Sequence, residues 1–137
     1  MPLSPDLIAA YENADYVVFA DPGLVLKIGG PSRGLDGLLE QEGAATAAFL
    51  TAANPRSEPR SPAENAAALA KLDQVIAASG YPWRAGEARE PDGRWVEPSR
   101  LVIGIYRDHA KTMGRIFGQN AIVFVEKGGA PELVVLG

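Results

Sequence analysis

Apolar residues along this chain recur at two different spacings, and the changes of spacing fall on proline, glycine and asparagine. Leu7, Ile8, Tyr11 and Ala14 repeat at helical intervals behind Ser4-Pro5. Serine is a good N-cap, and proline at the first helical position gives up only an N–H that would be unpaired anyway, so a helix is predicted over 5–14. Tyr16-Val17-Val18-Phe19 and Leu24-Val25-Leu26-Lys27-Ile28 are β-branched and aromatic runs flanking Asp21-Pro22-Gly23, the signature of a hairpin. Gly29 to Gly34 reads as a loop, 35–42 as a short helix stopped by Gly43, and Ala47-Ala48-Phe49-Leu50-Thr51 as a buried strand. A polar stretch over 52–61 leads to Ser61-Pro62-Ala63-Glu64, a capping box that opens a helix with Leu69, Leu72 and Ile76 on its apolar face and Gly80 at its end.

Five prolines and glycines interrupt 81–99, which predicts two irregular strands, Trp83–Arg89 and Arg94–Ser99, around the turn Glu90-Pro91-Asp92-Gly93. Leu101–Ile105 is a separate strand by this reading. Asp108 then caps a helix with Ala110, Met113, Ile116 and Phe117 inward and Gly118 at its end. Ala121–Val125 and Leu133–Leu136 form a last hairpin around Gly128-Gly129-Ala130-Pro131. The order α-β-β-α-β-α-β-β-α-β-β predicts an α+β fold: a mixed or mostly antiparallel sheet of about five to seven strands with roughly three to four helices packed on it.

Composition narrows the class. A length of 137 residues suits one domain over 1–137, and 47% apolar against 22% charged residues is ordinary for a folded core. The formal charge of −4 argues against broad binding to nucleic acid or anionic membranes, while leaving room for a local anion site. Cysteine is absent and His109 is the single histidine, so thiolate and multi-histidine metal sites are out of reach. No apolar run nears the ~20 residues that span a bilayer, and Met1-Pro2-Leu3-Ser4-Pro5-Asp6 reads as a helix cap rather than a leader, so the expected location is the cytoplasm. No cofactor is expected: in the Gly29–Gly34 loop Pro31 replaces the second glycine of a dinucleotide fingerprint, and Leu35 replaces the lysine of a Walker loop.

Several polar groups carry candidate chemistry. Asn54, Arg56 and Ser57 follow a predicted strand, and Asn65 lies on the inward line of its helix, so loop amides and a guanidinium beside a helix N-terminus suggest a small anionic ligand. The alternative is that both asparagines satisfy loop backbone groups. Trp95, Glu97 and Ser99 alternate, so in an extended strand they share one face with Leu101, Ile103 and Ile105. A carboxyl at the edge of a core, beside an indole, tends toward a raised pKa and suits acid–base work. The competing reading is that Pro98 breaks the alternation. Gln119 and Asn120, behind Gly118, offer paired amide donors and acceptors or simply close the helix. Arg84, Arg89 and Arg94 interleaved with Trp83 and Trp95 sketch a faint nucleic-acid pattern that nearby acids dilute, and nucleic acid is an unlikely partner on these grounds.

Three stretches together resemble the bacterial family called domain of unknown function 3293: Thr51-Ala52-Ala53-Asn54-Pro55-Arg56-Ser57 with Asn65, Trp95-Val96-Glu97-Pro98-Ser99 running into Leu101–Ile105, and Ala110 through Phe117-Gly118-Gln119-Asn120-Ala121-Ile122. Tyr11, Ala14, Tyr16 and Lys27-Ile28-Gly29 fit as well. The sequence departs at Ala53, where the pattern has tryptophan, and at Pro98, where it has a second glutamate. The resemblance implies a small bacterial cytoplasmic protein and no particular reaction.

The first functional reading is a binding or regulatory module without catalysis, whose sheet edge or apolar patch meets a protein partner or a second copy of the chain. The alternative is a small-ligand site for a nucleotide-like or anionic molecule, built from Asn54, Arg56, Ser57, Asn65, Trp95, Ser99, Gln119 and Asn120, with Glu97 as acid or base. Local nucleic-acid binding is the third.

Overall fold

The computed structural model describes residues 3–136; Met1 and Pro2, part of the opening read above as a helix cap, and Gly137 lie outside the described residues. The elements are α1 (Pro5–Asn13), β1 (Asp15–Val18), β2 (Leu24–Leu26), α2 (Arg33–Gln41), β3 (Thr46–Thr51), a 3-10 turn (Pro55–Ser57), α3 (Pro62–Ser79), β4 (Trp83–Arg89), β5 (Val96–Ile103), α4 (Arg107–Ile116), β6 (Ala121–Glu126) and β7 (Glu132–Val135). The strands form one sheet in the order β2-β1-β4-β5-β3-β6-β7. Every pairing in it is antiparallel. This is the α+β architecture that the periodicities predict.

Helix starts follow the caps. Ser4 accepts from the Leu7 N–H at 3.2 Å and Ser32 from the Leu35 N–H at 3.1 Å. The Ser61–Glu64 capping box closes in both directions. The Gly29–Gly34 loop therefore ends in an ordinary serine cap.

The middle strands are covered on both faces, and their alternation divides the core. Ala47 and Phe49 of β3, Leu101 and Ile103 of β5 and Val123 and Val125 of β6 face one side, with Leu35 and Leu39 of α2. Ala48 and Leu50, Val102, and Ile122 and Phe124 face the other, with Leu72 and Ile76 of α3 and Ala110 and Met113 of α4. Double burial lets alanine serve in β3 despite its weak strand preference, since packing against neighbours decides strand residence. Gly114 brings α4 onto the sheet: a side chain there would meet Ile122 at 2.7 Å and Leu136 at 2.6 Å.

Four expectations are corrected. Arg94–Ser99 and Leu101–Ile105 are not two strands but parts of the continuous β5, which begins at Val96. Pro98 does not break it. Its carbonyl accepts from the Thr51 hydroxyl at 2.8 Å, and N and O of one strand residue point the same way. The missing N–H therefore lies on the β3 side, beyond the last β3–β5 pair Thr51–Ser99, and removes nothing from the β4 ladder. Ile105 does not share the face of Leu101 and Ile103: Gly104, at φ 83°, turns the chain so that Ile105 packs with α3 and α4. Asp108 is not the cap of α4; Tyr106 holds that position without a side-chain bond, and Asp108 lies in the first turn, where its charge suits the helix dipole. Ile116 is 63% exposed rather than inward, and Gly114 takes the buried place.

Candidate functional site

β5 determines where the chemistry lies. Glu97 is on the same face as Leu101 and Ile103, and Trp95 packs against that core cluster from beyond the strand's start. The apolar cover of α2 ends before Glu97, and α1 takes over. α1 is held by Tyr16, whose hydroxyl donates to the Tyr11 carbonyl at 2.6 Å and whose ring meets Phe49 edge-on at 5.4 Å. Tyr11 is thereby set opposite Glu97 across a cleft of about 250 Å³ lined by Leu7, Ala10, Tyr11, Asn54, Ser57, Pro59, Trp95 and Glu97.

The third wall is the turn after β3. Asn54 (φ 46°), Arg56 (φ 58°) and Ser57 (φ 61°) all adopt left-handed backbone, and among the described residues they are the only non-glycine ones with positive φ. Each such residue costs on the order of 1 kcal/mol or more, and such strain concentrates at binding sites. Three contacts hold the turn. The Arg56 N–H donates to the Gly118 carbonyl at 2.7 Å. Pro55 sits against Gly118, whose own φ of 69° and closeness to Pro55 leave no room for a side chain. The Asn54 N–H donates to Asn65 Oδ1, and Asn65 Nδ2 donates back to Asn54 Oδ1, both at 2.9 Å. Asn54 Oδ1 also accepts from the Arg60 N–H at 3.0 Å.

With its oxygen engaged, Asn54 directs its amide nitrogen to Glu97 Oε2 at 2.9 Å. Among the described residues Glu97 Oε1 has no hydrogen-bond partner, and since no buried side-chain oxygen is left unpaired it keeps some exposure, on a residue that lines the cleft. Burial pushes the Glu97 carboxyl above the usual carboxylate range, partly offset by the Asn54 amide. The Tyr11 phenol is also raised, by burial first and by the Glu97 charge in part, against opposing bonds from Ser57 and Asn120. Tyr11 and Ser57 hydroxyls lie 3.1 Å apart, and Asn120 Nδ2 donates to Ser57 at 3.0 Å. No lysine or arginine lines the cleft. Beneath it a narrow cavity of about 30 Å³, reached by Glu97, Ser99, Thr51 and Gln119, has room for water but not for a ligand.

The structure thus brings together Asn54, Ser57, Trp95 and Glu97, with Asn120 attached through Ser57. Asn65 spends its amide on Asn54 and supports the site from behind. Ser99 is fully buried and donates to the Glu97 carbonyl at 2.9 Å; Gln119 donates to the carbonyls of Ala53 and Phe117. Both act as props. Arg56 turns away into a different cleft. His109 pairs with Tyr81 at 2.8 Å, away from the site. Arg84, Arg89 and Arg94 each sit in ion pairs. Tyr11, Tyr16 and Thr51 were read from the sequence as helix or strand positions that fit the family pattern, not as site residues. The signal for Tyr11 was its phenol on an otherwise apolar helix face, since a half-buried hydroxyl needs a partner.

Among the described residues no group of three or more acidic or histidine side chains is placed to hold a metal ion, and no helix is long and apolar enough to cross a membrane. No curated protein and no solved structure matches the chain. The family described as "Protein of unknown function (DUF3293)" matches residues 50–122, the stretch that contributes the strained turn, the Asn54–Asn65 pair, Glu97 and Asn120. The chain belongs to that family.

Proposed function

We propose that the cleft between α1, the strained turn and the start of β5 binds a small molecule that presents a hydrogen-bond donor to Glu97 and a flat apolar part to Trp95. The observation that carries this reading is the Glu97 carboxyl itself: one oxygen held by Asn54, the other open to the cleft, with no cation at hand. A half-buried acid without a charged partner is unfavourable for folding alone, so a ligand that bonds its unpaired oxygen accounts for it better than stability does. A carboxyl raised by burial and held by one amide is suited to exchange a proton with a bound molecule, so Glu97 is also the residue for acid–base chemistry, with Asn54 as its positioning residue. The cleft's lining favours amines, amides or nucleobase edges over anions. The sequence-based alternative of a protein partner or homodimer has scattered support: Phe19 and Val25 beside the β1–β2 edge, and Val96, Tyr106, Ile116 and Val135 elsewhere, are exposed among the described residues, and nothing specifies what would cover them.

The test is a thermal-shift and calorimetric panel of nucleosides, amino acids and polyamines on the whole protein. At least one class should stabilise wild type, and Glu97→Gln and Trp95→Ala should each abolish the effect. Stabilisation that persists in both variants, or a panel without any binder, counts against the reading.

A further inference from the structure

The cleft on the far side of the strained turn has the opposite character. It measures about 710 Å³ and is lined by Arg56, Glu58, Arg115, Gln119, Asn120 and the start of α1. Arg56 and Arg115 are far apart in sequence but are brought together by the docking of the turn on the end of α4, where the Arg56 N–H bonds the Gly118 carbonyl and the Gly118 N–H bonds the Arg115 carbonyl. Among the described residues neither guanidinium takes part in an ion pair, although most other arginines of this acidic chain do. Glu58, the acid in the same cleft, is paired with Arg60. Both side chains are exposed, so their mutual repulsion is modest, but two guanidiniums lining one cleft give it a positive character that an anion would meet.

We propose that Arg56 and Arg115 form a binding site for a phosphate-type oxyanion carried by a small molecule, with the Asn120 and Gln119 region as its polar floor. Two planar forks match a doubly charged tetrahedral oxyanion better than a carboxylate, which one arginine can satisfy. The backbone strain at Arg56 gains a purpose, because a relaxed turn would not carry its side chain to Arg115. The two clefts share Leu7 in their lining and meet through the Asn120–Ser57 bond, but neither guanidinium lines the Glu97 cleft, so the arginine variants test this site alone.

The experiment is an amide chemical-shift titration of the whole protein with inorganic phosphate and, separately, with acetate, at fixed ionic strength. Phosphate should shift Glu58, Gly118 and Gln119 saturably, with at least tenfold weaker binding in Arg115→Gln and in Arg56→Asn. Arg115 is exposed on a helix end, so Arg115→Gln tests the site without risk to folding. Glu58→Gln should tighten phosphate binding. Equal response to acetate and phosphate, or phosphate shifts unchanged in Arg115→Gln, would overturn the proposal.

Discussion

The two ends of β5 carry side chains of the same parity into opposite surroundings. Leu101 and Ile103 at the C-terminal end point into a sealed apolar layer beneath α2. Glu97, on the same face a few residues earlier, points to a cleft beneath α1. Strand geometry alone would make them equivalent. The difference is in the cover: α2 supplies leucines, whereas α1 supplies a tyrosine and the turn after β3 supplies asparagine and serine. The face of a residue is thus a local property of its strand, while its chemistry depends on elements distant in sequence.

The largest effect that would sharpen this comparison is at the sealed end. Ile103→Ala removes a fully buried side chain from a layer with no water to fill the void and should cost about 3 kcal/mol, read as a lower urea midpoint at unchanged slope. Asn54→Ala comes next, at about 2–3 kcal/mol, because it leaves Asn65 and the Arg60 N–H without their acceptor and puts alanine at a φ of 46°. Asn65→Ala should reproduce only part of that loss, since the left-handed asparagine and its bond to Glu97 remain. A loss in Asn54→Ala no greater than at an exposed loop position would mean that the turn is held by Gly118 and Pro55 alone.

Much of this architecture was legible in advance, for identifiable reasons. Caps and periodicity are local, so the element order was readable from Ser4, Ser61 and the apolar repeats. Glu97's face was readable because alternation survives Pro98. What the sequence did not reveal depends on packing. Gly104 reverses the face of Ile105 through one positive φ; Ile116 has the spacing of a core residue but is exposed in the last turn of α4. The pairing of Asn54 with Asn65, the turning away of Arg56 and its meeting with Arg115 all follow from three left-handed residues in one turn, which no periodicity announces.

Glu97→Gln should have a smaller effect of the opposite sign. Because burial raises the Glu97 pKa in the folded protein above its ordinary 4.5, the native state binds more protons than the unfolded state, and stability falls as pH rises from about that value through the native pKa. The contribution is fully present below the ordinary value and is lost as pH rises through the native pKa. A neutral amide in its place should therefore stabilise the protein at neutral pH by on the order of 1 kcal/mol and flatten the wild-type-minus-variant difference below the window. Chemical denaturation of both proteins between acid and neutral pH reads this directly. A variant less stable than wild type at neutral pH would show that the Asn54–Glu97 bond outweighs the burial of the charge, and the open end of β5 would then be as structural as the sealed one.

The smallest effect separates strain from binding within the open end. Arg56 holds φ 58° and ψ 24°, a conformation that asparagine adopts with less strain than arginine, and its N–H bond to Gly118 is independent of the side chain. Arg56→Asn should therefore gain roughly 0.5 kcal/mol in thermal or urea unfolding, since the side chain has no partner to lose. Arg115→Gln, on relaxed helical backbone, should leave stability within about 0.5 kcal/mol of wild type. If both variants lose phosphate response while only Arg56→Asn becomes more stable, the strained arginine is retained for what it contacts rather than for the fold. If Arg56→Asn is destabilised instead, its side chain braces the turn. The three left-handed residues would then belong with Asn65 among the props of the Glu97 cleft, and the contrast between the two ends of β5 would rest on that single carboxyl.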